Sequence, residues 1–543
     1  MDVTHGGLTM AVALAAGVLA QSLARHFRLP GIVLLLAVGA LLGPEALGWV
    51  HSRSLGSGLF GLVDFAVAVV LFEGGLNLEL SRLRREEGPI RKLVTLGAVV
   101  TLAGATLAAL LALGWSLNVA LLFGSLVVVT GPTVVAPLVR DLRLRPRMQT
   151  ILEAEGVLID PIGAILAILI LNIVLFPTAQ TFASETVDLL ARLGFGVMAG
   201  VVGGFIIGGL LRLQFLVPQG YENIFTLAAV FLLFQTSDQV VFHSGILAVT
   251  LAGVVIGNLR TPVDRDLREF KDQLTVLLVG LLFILLAADI ALSDVKALGW
   301  PGVFVIGALV LVVRPLSVWV STRGSELSWQ EQAFLAWIAP RGIVAAAIAS
   351  LTAATLEERG IPGGVELRAL VFLTIAITVL LAGLTARPLA MILGLRLPRR
   401  DRVAILGAQG LGLALGRQLH QAGLPVVFLD SDPKRCRQAE EQGFTVVFGD
   451  ALQERALLRA RVDLVGTAVG ATPNEHLNSL FIRQARRLFG VPRGLVAVES
   501  LEGQEVPDHV KQHHGEVLFE GPHDLERWDV RFRHDDVVVE QFV

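Results

Sequence analysis

The stretch EAEGVLIDPIGAILAILILNIVL (residues 153–175) places carboxylates at the start of, and inside, an apolar run long enough to cross a lipid bilayer. A charge at the centre of a bilayer costs about 2.5–3.5 kcal/mol on insertion scales, so an acid there is expected to have a partner or a function. Glu153 lies near the start of the predicted span, whereas Glu155 and Asp160 lie inside it. The stretch therefore predicts a transmembrane helix that carries a functional carboxylate.

The whole chain has the composition of a polytopic membrane protein. It has 543 residues, of which 54% are hydrophobic and 17% are charged, and its mean hydropathy is +0.69. The net charge of −3 argues against nucleic acid as a partner, and the single cysteine, Cys436, excludes an intramolecular disulfide. The N-terminus lacks the features of a cleaved signal peptide, so residues 8–24 are expected to remain as the first span.

Thirteen apolar segments predict thirteen transmembrane helices. They lie near residues 8–25, 31–48, 58–78, 93–113, 117–139, 149–175, 188–211, 223–237, 240–258, 274–293, 299–320, 330–354 and 366–393. If these spans alternate, twenty-two loop lysines and arginines fall on one side and only Arg53, Lys296 and Arg359 on the other. Because Lys and Arg accumulate in cytoplasmic loops, we expect a multi-pass protein of the inner (plasma) membrane with its N-terminus outside and its C-terminus in the cytoplasm.

The thirteen spans divide into six, one and six, as two inverted six-helix repeats joined by a linker helix would. Two short segments support this division: LNLELSRL (76–83) and ADIALSDV (288–295). They carry Leu and Ser at the same two positions, and each lies at the end of the corresponding span in its repeat. Spans five and twelve, also equivalent, are interrupted by TGPTVVAP (130–137) and APRG (339–342). Secondary transporters place their substrate site at such interrupted helices, near the midplane.

Four ionisable side chains stand out within the predicted spans: Glu73, Glu155, Asp160 and Arg341. Glu155 and Asp160 are about 140° apart around a helix, so they need different partners. The simplest allocation pairs Glu155 with Arg341 in a buried ion pair, which leaves Asp160 without a permanent counter-ion. Glu73 lies near the inner end of span three, where it is expected to bind ions or to be a solvated residue at the entrance.

A solitary buried carboxylate is suited to exchange one cation for another. Desolvation disfavours the bare anion, so Asp160 is expected to hold either a proton or a metal cation, but not both. Pro132 lacks a backbone donor, so the unwound chain around it can offer oxygen ligands. The predicted cation ligands are therefore Asp160, Thr130 and Thr133, and the expected ion is a hard monovalent cation.

The membrane part resembles the cation/proton antiporter superfamily, in particular its sodium/proton exchanger branch. The motifs are LFEGGLNL (71–78), TGPTVVAPL (130–138), EGVLIDP (155–161), SGILAVTLAGVVIGN (244–258) and APRGIVAAAIASL (339–351). The resemblance implies a homodimer, a dimerisation domain and a mobile core, an elevator-like cycle, and crossed broken helices five and twelve. It also implies that Asp160 is the ion-binding aspartate and that Glu155 and Arg341 are the buried pair.

This sequence departs from the family pattern at three positions. Ile159 stands where the exchanger branch usually has Asn and the electrogenic branch has a second Asp. Gly131 replaces an acid that often follows the Thr of the broken helix, and Gly156 replaces a serine. With one carboxylate left at the core, the expected exchange is electroneutral.

After residue 396 the sequence changes to that of a soluble α/β domain. VAILG (403–407), VVFLD (426–430), TVVFGD (445–450) and DLVGTAV (463–469) read as strands, with a helix at 411–422. Such alternation of strands and helices predicts a parallel, Rossmann-like sheet. We therefore divide the chain into a transmembrane domain (1–396), a Rossmann-like domain (397–500) and a β-rich extension (501–543). In the extension, VLFEG (517–521) and DVVVEQFV (536–543) read as strands.

Residues 400–500 resemble the TrkA-N type of nucleotide-binding domain found in potassium-transport regulators. The nucleotide-binding motif G-x-G-x-x-G is matched by Gly407 and Gly412 at its first and third glycines, but Gln409 stands in place of the second glycine. The side chain of Gln409 hinders the close approach of a pyrophosphate. Asp430 is expected to bind ribose hydroxyls, and Asp450 matches an acidic position of the domain type. A regulatory nucleotide, AMP, ATP or NAD, is one expectation; a domain used only for dimer contacts is the other.

The combination favours a non-enzymatic secondary antiporter that exchanges Na⁺ or K⁺ for H⁺, needs no cofactor for transport and carries a cytoplasmic regulatory domain. A nucleotide-gated K⁺ channel or efflux system is the alternative, but a TVGYG-like filter is absent from the sequence. A membrane-anchored dehydrogenase is not expected, because the tail has room for a nucleotide fold but not for a substrate domain.

Overall fold

The structure is a computed structural model of the chain. It describes residues 3–27, 29–142, 144–213, 217–218, 221–259, 266–290, 292–396, 400–498, 510, 515–518 and 531. The chain divides into two compact units, Met1–Arg396 and Leu397–Val543, and each is described by itself.

The first unit is built from helices. In chain order they are α1 Val3–Phe27, α2 Gly31–Leu42, α3 Ser57–Leu76, α4 Leu80–Leu113, α5 Leu117–Leu126, α6 Pro132–Leu142, α7 Pro146–Leu175, α8 Ala179–Leu210, α9 Glu222–Val240, α10 Gly245–Asn258, α11 Asp266–Ala288, α12 Ser293–Thr322, α13 Trp329–Trp337, α14 Ile343–Glu358 and α15 Gly364–Ile392. Helix α12 is kinked at Gly299, whose φ of +51° is left-handed.

Within the described ranges, six helices are long and apolar enough to cross a membrane: α1, α4, α7, α8, α12 and α15. Shorter apolar helices accompany them, namely α2, α5, α10 and the later part of α11. Helix is present at each of the thirteen predicted segments. Length and composition nevertheless support fewer crossings, so the number thirteen stays a prediction.

The predicted interruptions of spans five and twelve are confirmed. Helix α5 ends at Leu126 and α6 begins at Pro132, whereas α13 ends at Trp337 and α14 begins at Ile343. Pro132 occupies the first turn of α6, where its missing N–H would have no helical partner in any case. Each interruption therefore divides a membrane-length segment into two shorter helices.

Helix α7 lies at the centre of the first unit. In its most apolar window 72% of the residues are buried, compared with 28% in the windows of α1 and α8. A helix that is apolar on all sides and largely buried is surrounded by protein rather than by lipid. Glu155 and Asp160, which are 4% and 1% exposed, are therefore enclosed within the helical bundle.

The second unit contains a parallel sheet with helices between its strands. Its strands are β1 Arg402–Leu406, β2 Val426–Asp430, β3 Thr445–Phe448, β4 Val465–Gly470, β5 Arg493–Val496 and β6 Glu516–Val517. The spatial order is β3-β2-β1-β4-β5-β6, and every neighbouring pair is parallel. The helices between them are α16 Gly410–Gln421, α17 Pro433–Glu441, α18 Glu454–Arg459 and α19 Glu475–Phe489. The predicted Rossmann-like fold is confirmed.

The predicted extension, residues 501–543, contributes β6 to this sheet. Val496 of β5 pairs with Val517. Strand β6 overlaps the stretch VLFEG (517–521), which reads as a strand in the sequence. The second such stretch, DVVVEQFV (536–543), lies outside the described residues.

Candidate functional site

The two interruptions meet at a pair of glycines. The backbone N–H of Gly131 donates to the carbonyl of Pro340 at 3.0 Å. A Cβ added to Gly131 would lie 2.5 Å from the Cα of Gly342, and a Cβ on Gly342 would collide with Gly131 in turn. Backbone can approach backbone this closely only where side chains are absent. The break after α5 therefore touches the break after α13.

Asp160 lies on the face of α7 that is turned towards the first break. Gly156, Asp160 and Gly163 share this face, because residues three and four apart are neighbours on a helix. A Cβ on Gly156 would lie 3.3 Å from the Cα of Pro132, and one on Gly163 would lie 2.5 Å from a methyl carbon of Val129. The contacts on either side of Asp160 thus bracket the unwound residues that include Thr130.

Asp160 and Thr130 hold the unsatisfied polar atoms at this crossing. Asp160 is 1% exposed and Thr130 is 4% exposed. Both carboxylate oxygens of Asp160 and the hydroxyl oxygen of Thr130 are buried and have no hydrogen-bond partner among the described residues. Because buried polar atoms are normally satisfied, these oxygens are the natural ligands for a proton or a cation.

The predicted pairing of Glu155 with Arg341 is wrong, because Glu155 pairs with Arg314. The guanidinium of Arg314 donates from Nη1 to Oε1 at 2.5 Å and from Nη2 to Oε2 at 2.9 Å. Arg314 also donates to the carbonyl of Leu335 from Nε and Nη2. Both charged side chains are almost fully buried, so this two-bond pairing neutralises Glu155 inside the bundle.

Arg341 instead binds main-chain carbonyls at the first break. Its Nη1 donates to the carbonyls of Val128 and Val129 at 3.1 and 3.3 Å, and its backbone N–H donates to the hydroxyl of Thr378 at 3.2 Å. A cation beyond the C-terminus of a helix stabilises the partial negative charge of the exposed carbonyls. The carbonyl groups of Val128 and Val129, which were expected to be available to a transported ion, therefore accept hydrogen bonds from Arg341.

Of the two predicted threonine ligands, only Thr130 can be located at atomic detail. Thr133 lies in the first turn of α6, and its side chain falls outside the part of the structure that is described. The carbonyl of Gly131 accepts from the N–H groups of Val134 and Val135 at 3.1 Å, so it closes the first turn of α6.

Glu73 lines a large cavity that ends close to Asp160. The cavity has a volume of about 860 Å³, and its wall includes Glu73, Pro132 and Val157. The hydroxyl of Thr275 donates to Oε2 of Glu73. Val157 precedes Asp160 by one helical turn, but Asp160 itself does not line the cavity. Glu73 is therefore a wall residue on the approach, separated from the buried carboxylate by this turn of α7.

The predicted nucleotide residues gather at the carboxyl edge of the parallel sheet. Gly407, with φ of +101°, follows β1. A Cβ on Gly412 would collide with the carbonyl oxygen of Gly407. Asp430 ends β2, where its two carboxylate oxygens accept from the N–H groups of Ala408 and Asp432, each at 2.9 Å. Asp430 thus holds the loop after β1 in place, which is a role that the sequence does not reveal.

Gln409 and Asp450 complete this edge. Gln409 is in extended conformation, with φ of −145°, immediately before α16, so its position needs no left-handed backbone. Asp450 is exposed after β3, and it accepts from the N–H of Leu452 at 2.9 Å. The close contacts of Gly407 and Gly412 fit a phosphate-binding turn. Gln409 adds a side chain in this turn at a position where the motif has a glycine.

Sequence reasoning missed Arg314, although the signal was present. Arg314 lies inside the predicted span 299–320, so the rule that selects Arg341 also applies to it. Arg368, in the last predicted span, is a second case, and its Nη1 lies 2.7 Å from Oδ2 of Asp289. Applying this rule to every arginine in the predicted spans would have added Arg314 to Arg341 as a candidate partner for Glu155.

Comparison with known proteins gives two family matches along the chain. Residues 10–392 match the family described as sodium/hydrogen exchanger, transmembrane, and residues 403–509 match the TrkA-N domain. The chain is 27% identical over 393 residues to the K(+)/H(+) antiporter NhaP2 of Shewanella oneidensis, and the aligned region covers 71% of this chain. It is also 27% identical over 354 residues to Na(+)/H(+) antiporter 1 of Methanocaldococcus jannaschii, covering 63% of this chain and 81% of that protein.

The match to the Shewanella relative spans 66% of that relative's length, which is slightly less than two thirds. Among solved structures, the sodium proton antiporter MjNhaP1 from Methanocaldococcus jannaschii at pH 8 superposes with a TM-score of 0.63 at 24% identity. The superposition covers 71% of this chain and 97% of that one. It shows that the two helical units share one fold.

Proposed function

Because the chain belongs to the sodium/hydrogen exchanger family, with a TrkA-N domain after its membrane part, we propose that it exchanges a monovalent cation, Na⁺ or K⁺, for protons. The observation that carries the proposal is the pair of unsatisfied, fully buried oxygens on Asp160, beside the crossing of two broken helices. Relatives described as K(+)/H(+) and Na(+)/H(+) antiporters support the same class of activity.

Competition for Asp160 couples the two ions. The carboxylate binds either a proton or a cation, and Thr130 adds a neutral oxygen to the cation site. Movement of the bare carboxylate is disfavoured, because an uncompensated charge in the bilayer costs about 2.5–3.5 kcal/mol or more. Each crossing of the membrane therefore carries one ion or the other, which suppresses leak.

The charge balance of the site favours an electroneutral, one-for-one exchange. Glu155 is neutralised by Arg314, whereas Arg341 donates to main-chain carbonyls and keeps the same charge in both half-cycles. Among the described residues, Asp160 is the buried carboxylate that lacks a partner. One proton or one monovalent cation satisfies it, so the loaded site carries the same charge in both half-cycles.

The cavity supplies the access route from one side. Arg25, Arg387 and Arg396 line it, and all three belong to the side that the distribution of basic residues assigns to the cytoplasm. The structure therefore fits an inward-open cavity with Asp160 occluded one turn beyond it. We propose thirteen spans with the N-terminus outside, a homodimer, and an elevator-like movement of the broken-helix core.

The TrkA-N domain is proposed to regulate transport by binding an adenine nucleotide, AMP, ATP or NAD. The turn from Gly407 to Gly412 would hold phosphates at the start of α16, and Asp430 would receive the ribose hydroxyls. Gln409 narrows the space for a pyrophosphate, which favours a nucleotide with a single phosphate. Asp450 lies at the same edge, where its exposed carboxylate can contact the ligand.

Transport is tested with the purified protein in liposomes. A dye reports collapse of an imposed pH gradient when Na⁺, K⁺ or Li⁺ is added outside. Cation-driven proton movement is expected from the native chain and not from Asp160→Asn, while Asp188→Asn, which alters an exposed acid, keeps full activity. Cation flux that follows voltage but moves no protons would support a channel and contradict the proposal.

A further inference from the structure

The unwound residues 127–131 are held between two close glycine contacts. On one side Gly131 touches the backbone of Gly342. On the other side Gly156 and Gly163 of α7 lie against Pro132 and Val129. At interior packing density a methyl group added to any of these contacts must displace its neighbour. The stretch that carries Thr130 therefore has little freedom to move between α7 and the second break.

This confinement determines where the cation ligands stand. Thr130 directly precedes Gly131, and Arg341 directly precedes Gly342. Arg341 donates to the carbonyls of Val128 and Val129, so the glycine contact also fixes its guanidinium against the first break. The position of Thr130 relative to Asp160 is thereby set by close glycine contacts on both sides of the unwound stretch.

We propose that Gly131 and Gly342 are positioning residues that determine which cation the site prefers. The inference rests on the proposed exchange function and deepens it. Ion preference depends on the spacing and the number of oxygen ligands around the ion, so a displaced Thr130 changes the fit for one ion relative to another. The glycine at position 131, where the family often has an acid, permits this close approach, because a Cβ there would lie 2.5 Å from the Cα of Gly342 and would force the two breaks apart.

The size of the displacement follows from the contact. The Cβ of Gly131→Ala would begin 2.5 Å from the Cα of Gly342, whereas ordinary contacts begin at 3.4 Å, so the breaks must separate by about 0.9 Å. Misplacement of a reacting or binding group by about 1 Å can cost roughly a hundredfold. We therefore expect the apparent KM for the preferred cation to rise at least about tenfold.

The experiment compares Gly131→Ala and Gly342→Ala with Gly307→Ala in liposomes. Gly307 is the matched control, since an added Cβ there meets no described atom within 4 Å. Apparent KM and maximal rate are measured for Li⁺, Na⁺, K⁺ and Rb⁺. Both test variants should raise the KM for the preferred ion. The ratio of the KM of the second-best ion to that of the preferred ion should therefore fall towards one, while the maximal rate changes less than about threefold. The control should match the native chain.

Three results would overturn the inference. The first is an unchanged order and ratio of KM values in both test variants. The second is a fall in maximal rate alone, with KM values preserved. The third is loss of folded protein in both test variants while Gly307→Ala folds, which would assign the glycines a purely structural role. A failure of the proposed exchange function is distinguishable from these three results. In that case the native chain itself would show no cation-driven proton movement.

Discussion

The ion pair between Glu155 and Arg314 should dominate the stability of the helical unit around α7. The perturbation is Glu155→Gln, which removes the negative charge and retains the shape of the side chain. The two partners lie 2.5 and 2.9 Å apart at their two contacts, and their side chains are only 6% and 7% exposed. Breaking such a pair from one side leaves a buried charge without compensation, which costs about 3–5 kcal/mol.

A double-mutant cycle measures the pairing itself. We expect Glu155→Gln combined with Arg314→Gln to be less destabilising than the sum of the single changes, with a coupling free energy of about 1.5–3 kcal/mol. Coupling between Glu155 and Arg341 should be smaller, below about 1 kcal/mol. The exposed pair Glu79–Arg82, whose N–O distance is 2.7 Å, is the control and should couple by about 0.5 kcal/mol or less.

The assay is denaturant unfolding of the purified protein in detergent, followed by tryptophan fluorescence. The same samples are checked by gel filtration, so that aggregation is not counted as unfolding. The reasoning would be refuted if Glu155 coupled more strongly to Arg341 than to Arg314, or if the buried pair coupled no more strongly than the exposed control.

Further predictions concern the second unit. Gly412→Ala should lower the unfolding temperature of this unit in the full chain, because its Cβ collides with the carbonyl of Gly407; an unchanged melting curve would contradict this close contact. Burial, followed by the negative charges of Asp430, Glu440 and Asp432, raises the pKa of the Cys436 thiol. Alkylation of this single cysteine should therefore be at least about tenfold slower at pH 8 in the native chain than after denaturation, and should accelerate as the pH rises; equal rates in both states would show that the thiol is accessible. AMP should raise the unfolding temperature of the native chain and not that of Asp430→Asn, and no stabilisation by AMP, ATP or NAD would favour a scaffold role.

The broken helices were predictable because their cause is local. Proline and glycine in TGPTVVAP and APRG interrupt apolar runs wherever these segments are placed. The alternation of strands and helices after residue 400 is local in the same sense, and so the parallel sheet was predictable too. Strand β6 was harder to place in this sheet, since its two residues carry no periodicity that could indicate a strand partner.

The choice of ion-pair partners was not predictable, because it depends on how distant helices pack. Arg314 and Arg341 both lie within predicted spans, and nothing in their local sequence shows which one faces Glu155. The outcome is decided by the crossing of the breaks, where the carbonyls of Val128 and Val129 receive Arg341. The need for glycine at position 131 is likewise visible only once its neighbour, Gly342, is known.

Direct competition between a proton and a cation at Asp160 is tested most simply by counting protons. Purified protein in weakly buffered detergent solution is titrated with NaCl or KCl, and the change in pH is recorded against a choline chloride control. The native chain should release close to one proton for each cation bound per protomer, and Asp160→Asn should release none. Equal proton release from Asp160→Asn, or cation binding without proton release by the native chain, would contradict the proposed mechanism.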